Sequence, residues 1–166
     1  MSLLGWGKCR VFIKDLDSSN AEWKELPTPI ENTTILETTK GEKQEAKIEG
    51  GENEDVRYSK STYALNLNIR AAKGRNKPIK DSDGVIAHNY AVAVQPEDPE
   101  AVGLMLDKSK PSVADTFSTE EGAIWEYVFD ALKPESGDQC KMGKVTVVES
   151  DGKITNVTIE ELTEDE

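Results

Sequence analysis

The chain has 166 residues, of which 36% are hydrophobic and 31% charged, and its 32 acidic and 20 basic residues give a formal net charge of −12. That length supports one hydrophobic core without staples. The short apolar runs and clear strand patterns argue against both a membrane-spanning and a disordered chain. The excess charge is concentrated: residues 31–55 hold eight acidic and three basic residues, and residues 149–166 hold seven acidic and one basic, which leaves the remainder near neutral. No basic stripe is evident to neutralise phosphates, which argues against sequence-specific DNA binding.

In chain order, residues 8–14 read as a first strand, with Cys9, Val11 and Ile13 facing one way and Phe12 the other. The turn-rich DLDSSN stretch leads to residues 21–26, around Trp23, and Pro27 and Pro29 then exclude a helix. Residues 32–39 (NTTILETT) are β-branched and predict a second strand. An acidic, Gly-containing arm follows at about residues 39–56, too polar to bury, with one short strand expected at 44–49. Beyond it, Tyr63, Leu65, Leu67 and Ile69 alternate with Ala64, Asn66, Asn68 and Arg70, the pattern of a long half-buried strand.

Residues 73–84 are a loop dense in Gly, Asn, Pro and Asp. In residues 85–95, Tyr90, Val92 and Val94 alternate against Ala91 and Ala93. In PEDPEAVGLMLD, Asp98 suits an N-cap, Pro99 the first helical position and Glu100 the positive helix end. Val102, Met105 and Leu106 share a helical face, so a short helix is expected over 99–107. Residues 111–119 read as extended. Residues 123–132 place Trp125, Tyr127 and Phe129 at period two, and their aromatic and β-branched content favours a strand over a helix. Residues 144–150 and 153–159 predict a hairpin around Asp151-Gly152. Seven to nine strands and one short flanking helix give a mainly β fold, a sandwich or barrel, as a single domain over 1–166 with an acidic tail at about 160–166.

Chemistry is sparse. His88 is the only histidine, so no multi-histidine metal site exists, and no CxxC supports zinc or redox work. Asp81-Ser82-Asp83-Gly84 begins like a calcium loop, but Gly comes too early and Val92 stands where a bidentate Glu belongs. No phosphate loop or dinucleotide fingerprint is present. The N-terminus lacks the basic region and apolar core of a secretory signal, so a chain that stays in the cytoplasm or leaves by a route other than the general one is expected, with Cys9 and Cys140 as reduced thiols, although a disulfide between them is also allowed. Solvated carboxylates offer no candidate acid–base pair. The expectation is therefore a protein with no catalytic, cofactor-binding or metal-ligating residues.

The order of features is itself informative. A short β N-terminus precedes a TTKGEKQEAKIEGGE arm, the alternating strand YALNLNIRA, the DPEAVGLML segment and an aromatic strand entering YVFDALKP. This layout resembles the major tail (tail tube) proteins of long-tailed bacteriophages and prophages. The resemblance implies a β-sandwich or barrel with a flanking helix, and copies that form hexameric rings stacked into a tube. The partners implied are further copies of the chain, other tail proteins such as the tape measure, and DNA that passes without specific binding, repelled by acidic surface. It implies no membrane, no cofactor, and a location in the virion tail after assembly from the host cytoplasm. Within the arm, Glu42, Lys43, Glu45, Lys47, Glu49, Gly50, Gly51 and Glu52 are candidates for contacting a neighbouring subunit. The rival readings are another tail or baseplate component and a β-barrel with a ligand or enzymatic site in its mouth.

Overall fold

Period-two patterning dominates the structure, a computed structural model that describes residues 7–19, 21–31 and 33–160. Every regular element among the described residues is a strand: β1 (Arg10–Asp15), β2 (Trp23–Glu25), β3 (Ile35–Thr39), β4 (Lys43–Lys47), β5 (Asn53–Tyr58), β6 (Thr62–Arg70), β7 (Tyr90–Gln95), β8 (Gly103–Ser118), β9 (Gly122–Ala131), β10 (Lys141–Ser150) and β11 (Lys153–Glu160). Seven lie along the path β2-β1-β7-β8-β9-β6-β3. β10 joins that sheet through β8, and β11 pairs with β10, which makes nine strands; β4 and β5 form a separate pair. The chain is mainly β, as its patterning predicts.

The sheet curls so that one face becomes an interior. Leu65, Leu67 and Ile69 of β6 lie opposite Phe129, Tyr127 and Trp125 of β9, and all six are buried with Val11, Ile13, Val92 and Leu106 in one cluster. The Tyr127 hydroxyl donates to the Ile79 carbonyl at 3.1 Å, which satisfies a polar atom that burial would otherwise penalise. A strap between β2 and β3 ties the two ends of the sheet together. At one end of it the Leu26 N–H donates to the Val11 carbonyl, and further on the Ile30 N–H donates to the Asn68 carbonyl, each at 2.8 Å.

A second, smaller core lies outside the curl. Phe12, Trp23, Ala91, Ala93 and Met105 are roofed there by Val145 and Val157 of the β10–β11 hairpin. β7 is consequently buried on both faces, with its small alanines turned toward the hairpin and its valines toward the interior. Gln95 is the polar tie between the layers, its side-chain amide donating to the Val145 carbonyl at 2.9 Å.

The helix expected over 99–107 is not formed. Its start signals act locally: the Glu100 N–H donates to the Asp98 carboxylate and the Ala101 N–H to the Asp98 carbonyl, both at 3.0 Å. They make one turn that is not continued. From Gly103 the chain is β8, with Leu104 and Leu106 facing the interior cluster and Met105 the outer one. Pairing with β7 on one side and β10 on the other satisfies backbone groups that a short exposed helix would leave at its ends. The extended stretch expected at 111–119 continues the same strand. Pro111 fits because β7 pairs no further along β8 than Ser109, so no ladder bond is lost at that edge.

Candidate assembly surface

The arm is a two-stranded hairpin rather than a segment with one short strand. β4 and β5 pair from Lys43↔Tyr58 to Lys47↔Asn53, with a bulge after Ala46. The reversal falls at Gly50 and Gly51, whose φ values of 99° and 88° lie in the left-handed region that glycine occupies without strain. The Ile48 N–H donates to the Glu52 carbonyl at 2.9 Å and the Gly51 N–H to the Ile48 carbonyl at 3.1 Å, closing the tip. At the base, the Ser59 N–H donates to the Glu42 carbonyl at 2.9 Å.

All eight arm residues singled out from sequence belong to this one element. Glu42 sits at the base, Lys43, Glu45 and Lys47 share one face of β4, and Glu49, Gly50, Gly51 and Glu52 form the tip. Glu45 bridges the two lysines, 2.8 Å from Lys43 and 3.5 Å from Lys47. The hydrogen bond with Lys43 holds the Glu45 carboxyl below its ordinary pKa and raises that of Lys43. The strand from Asn53 to Tyr58 escaped the sequence reading, although a Gly-Gly pair between two extended runs is a known hairpin signal. Its residues Val56 and Tyr58 add exposed apolar surface beside Ile48.

Every residue of β4 and β5 is exposed. The hairpin therefore buries no side chain against its own subunit, whereas an isolated two-stranded hairpin in water is at best marginally stable. The two ends of the main sheet, β2 and β3, each have a single strand partner, and Ile35 on β3 is exposed. The acidic tail at 160–166 falls, beyond Glu160, outside the described residues.

His88 Nδ1 lies 2.9 Å from Asp15 Oδ2 at the surface. The Asp81–Gly84 segment is a turn in which the Asp81 carboxylate accepts from the Gly84 N–H and pairs with Lys77, each at 2.8 Å. Cys9 and Cys140 are free thiols, both packed against the interior cluster. Cys9 approaches Thr34 (3.7 Å between Sγ and Oγ1), and burial pushes the Cys140 thiol up. At one mouth of the curl, an open cleft of about 1010 Å³ is lined by apolar residues including Ile30, Leu36, Leu104 and Met142, with Lys8, Glu31, Glu97 and Asp98 among its charged residues.

The near-neutral remainder of the chain also contains a dispersed basic stretch. Within the part of the chain that balances near neutral, residues 70–80 carry Arg70, Lys73, Arg75, Lys77 and Lys80 and no acid. Gly, Pro and Asn separate these cations, so they form no run.

No family model matches this chain, and no curated protein matches it.

Proposed function

We propose that this protein is a structural subunit that assembles with copies of itself into stacked rings forming a tube, as the resemblance to phage tail tube proteins implies. It has no catalytic role in this reading. The observation that carries it is the β4–β5 hairpin, which is formed yet exposed along both strands and so invites cover from another subunit. The sheet ends add to this, since edge strands are ordinarily defended against pairing and a ring-former uses them instead. The net charge of −12 suits a conduit, because acidic surface repels phosphates and lets DNA pass without sticking. Tape-measure and other tail proteins are the further partners in this reading, and the virion tail is its location.

The test is electron microscopy and sedimentation of the purified protein over a range of concentrations, beside a variant whose residues 41–60 are replaced by a short turn. Rings or tubes for the wild type, and a folded monomer for the variant, are expected. A variant that assembles normally would remove the hairpin from the mechanism. A second reading, a ligand-binding barrel, is favoured by the cleft at the mouth of the curl. It predicts saturable binding of apolar ligands, with a thermal shift that Leu104→Asp abolishes.

A further inference from the structure

The acidic hairpin and the basic loop are complementary, and they belong to different parts of the same chain. Residues 48–55 at the hairpin tip hold Glu49, Glu52, Glu54 and Asp55 and no cation. Among the described residues none of these four carboxylates has an ion-pair partner, whereas Glu45, further down the hairpin, is neutralised by Lys43 and Lys47. On the main body, a cleft of about 520 Å³ is lined by Lys24, Lys77, Lys80, His88 and Asp15 together with Ile79 and Ile86. Two of those cations are already compensated: Lys77 lies 2.8 Å from both Asp81 and Asp115, and His88 pairs with Asp15. Lys24 and Arg75 donate only to backbone carbonyls, those of Pro78 (2.7 Å) and Arg70 (3.0 Å). Lys73 and Lys80 have no ionic partner among the described residues. Of the cations that line the cleft, Lys24 and Lys80 thus stay uncompensated, and Lys73 and Arg75 lie in the basic stretch that leads into it in sequence, against four carboxylates on the hairpin tip.

We infer that the acidic tip of one copy's β4–β5 hairpin docks on the lysine-lined cleft of a neighbouring copy. The inference rests on the self-assembly reading and names the contact that reading lacks. The hairpin does not seat on its own cleft, since all its residues are exposed. It extends about 20 Å from base to tip at strand rise, and its Gly50-Gly51 turn is slim, with open space where a side chain would project. Tip and cleft are different surfaces, so the contact can run head to tail from copy to copy, closing into a ring or continuing along a stack. A nucleic acid is the less suitable occupant, because the net charge of −12 repels a polyanion, while the hairpin tip supplies a compact group of acids. Opposite charges at such a contact fix register and steer encounter, and they weaken with salt.

The experiment uses the whole chain with the charges reversed on each side: Glu49→Lys/Glu52→Lys/Glu54→Lys for the hairpin and Lys24→Glu/Lys80→Glu for the cleft. All these side chains are exposed, and circular dichroism verifies that both variants fold. In sedimentation velocity, the wild type is expected to associate and to weaken as salt rises. Each variant alone should need at least about tenfold more protein to associate, and an equimolar mixture of the two should recover association. A reversed variant that assembles like the wild type overturns this contact and leaves self-assembly standing. A wild type that stays monomeric at every concentration and salt overturns both. If the cleft variant assembles normally but loses binding of a single-stranded oligonucleotide that the wild type retains, the cleft belongs to nucleic acid instead.

Discussion

Gly103 lies so close to the carbonyl oxygen of Val94 on the neighbouring strand that a methyl group at position 103 would collide with it and sit 2.8 Å from Val145 Cγ2. This residue opens β8 at the point where β7, β8 and the β10–β11 hairpin meet. Gly103→Ala is therefore expected to destabilise the fold by about 1–3 kcal/mol, the usual cost of overpacking a filled site. In a helix the same change would stabilise by about 1 kcal/mol, so the sign of the shift in a urea melt tests the strand assignment directly.

That glycine also marks where sequence reading succeeds and where it stops. Leu65, Leu67 and Ile69, and likewise Trp125, Tyr127 and Phe129, alternate so strictly that their buried face is evident without coordinates. The Asp151-Gly152 turn is equally local: both residues have positive φ, 52° and 76°, as the two-residue hairpin requires. Residues 99–107 are different. Asp98 and Pro99 are sound helix-start signals, and the Val-Gly-Leu-Met-Leu run fits either period. Partners distant in the chain, Val94 and Met142, decide it by pairing with Leu104. The arm residues were legible as one polar element because their composition is continuous. The cleft was not, since Lys24 meets the 77–80 loop only through the tertiary fold.

Leu67 tests the interior. It is fully buried on β6, opposite the almost fully buried Tyr127. Leu67→Ala is expected to cost about 3 kcal/mol through lost burial and the cavity left behind. Leu67→Asp, which places an uncompensated charge in the same cluster, should leave no cooperative thermal transition by circular dichroism. A Leu67→Asp protein melting like the wild type would show that β6 presents its other face to the core.

The His88–Asp15 pair makes stability depend on pH. The hydrogen bond that protonated His88 donates to the Asp15 carboxylate raises the His88 pKa. Burial pushes Asp15 upward, but hydrogen bonds from His88 and the Asp17 N–H outweigh it and hold the carboxyl below its ordinary value. The histidine contribution is fully present below the unfolded pKa of about 6.5 and is lost as pH rises through the raised folded value. The aspartate contribution is present above about pH 3.9 and is lost as pH falls through the lowered value. His88→Gln should therefore lower Tm most near pH 5 and by a vanishing amount near pH 9, values that bracket the ordinary histidine pKa of about 6.5. An equal deficit at both would assign the effect to packing rather than to charge.

Gly41 separates the hairpin from the body of the protein. A Cβ at this position would strike the backbone carbonyl of Ser59, with the Lys60 carbonyl oxygen 2.9 Å away, so the two strands entering the hairpin pass too closely for any side chain. Because that obstacle is backbone, Gly41→Val can be accommodated only by splaying the base and breaking the bond between the Ser59 N–H and the Glu42 carbonyl. The buried clusters contain no residue of β4 or β5, so the main unfolding transition should move little. Amide exchange should instead speed up selectively between Lys43 and Tyr58, and assembly should fail even though every charge on the hairpin is retained. If Gly41→Val neither lowered exchange protection between Lys43 and Tyr58 nor impaired assembly, the base of the hairpin would not be what holds the acidic tip in place. If it lowered the global Tm by several degrees, the hairpin would be coupled to the core by contacts other than those at its base.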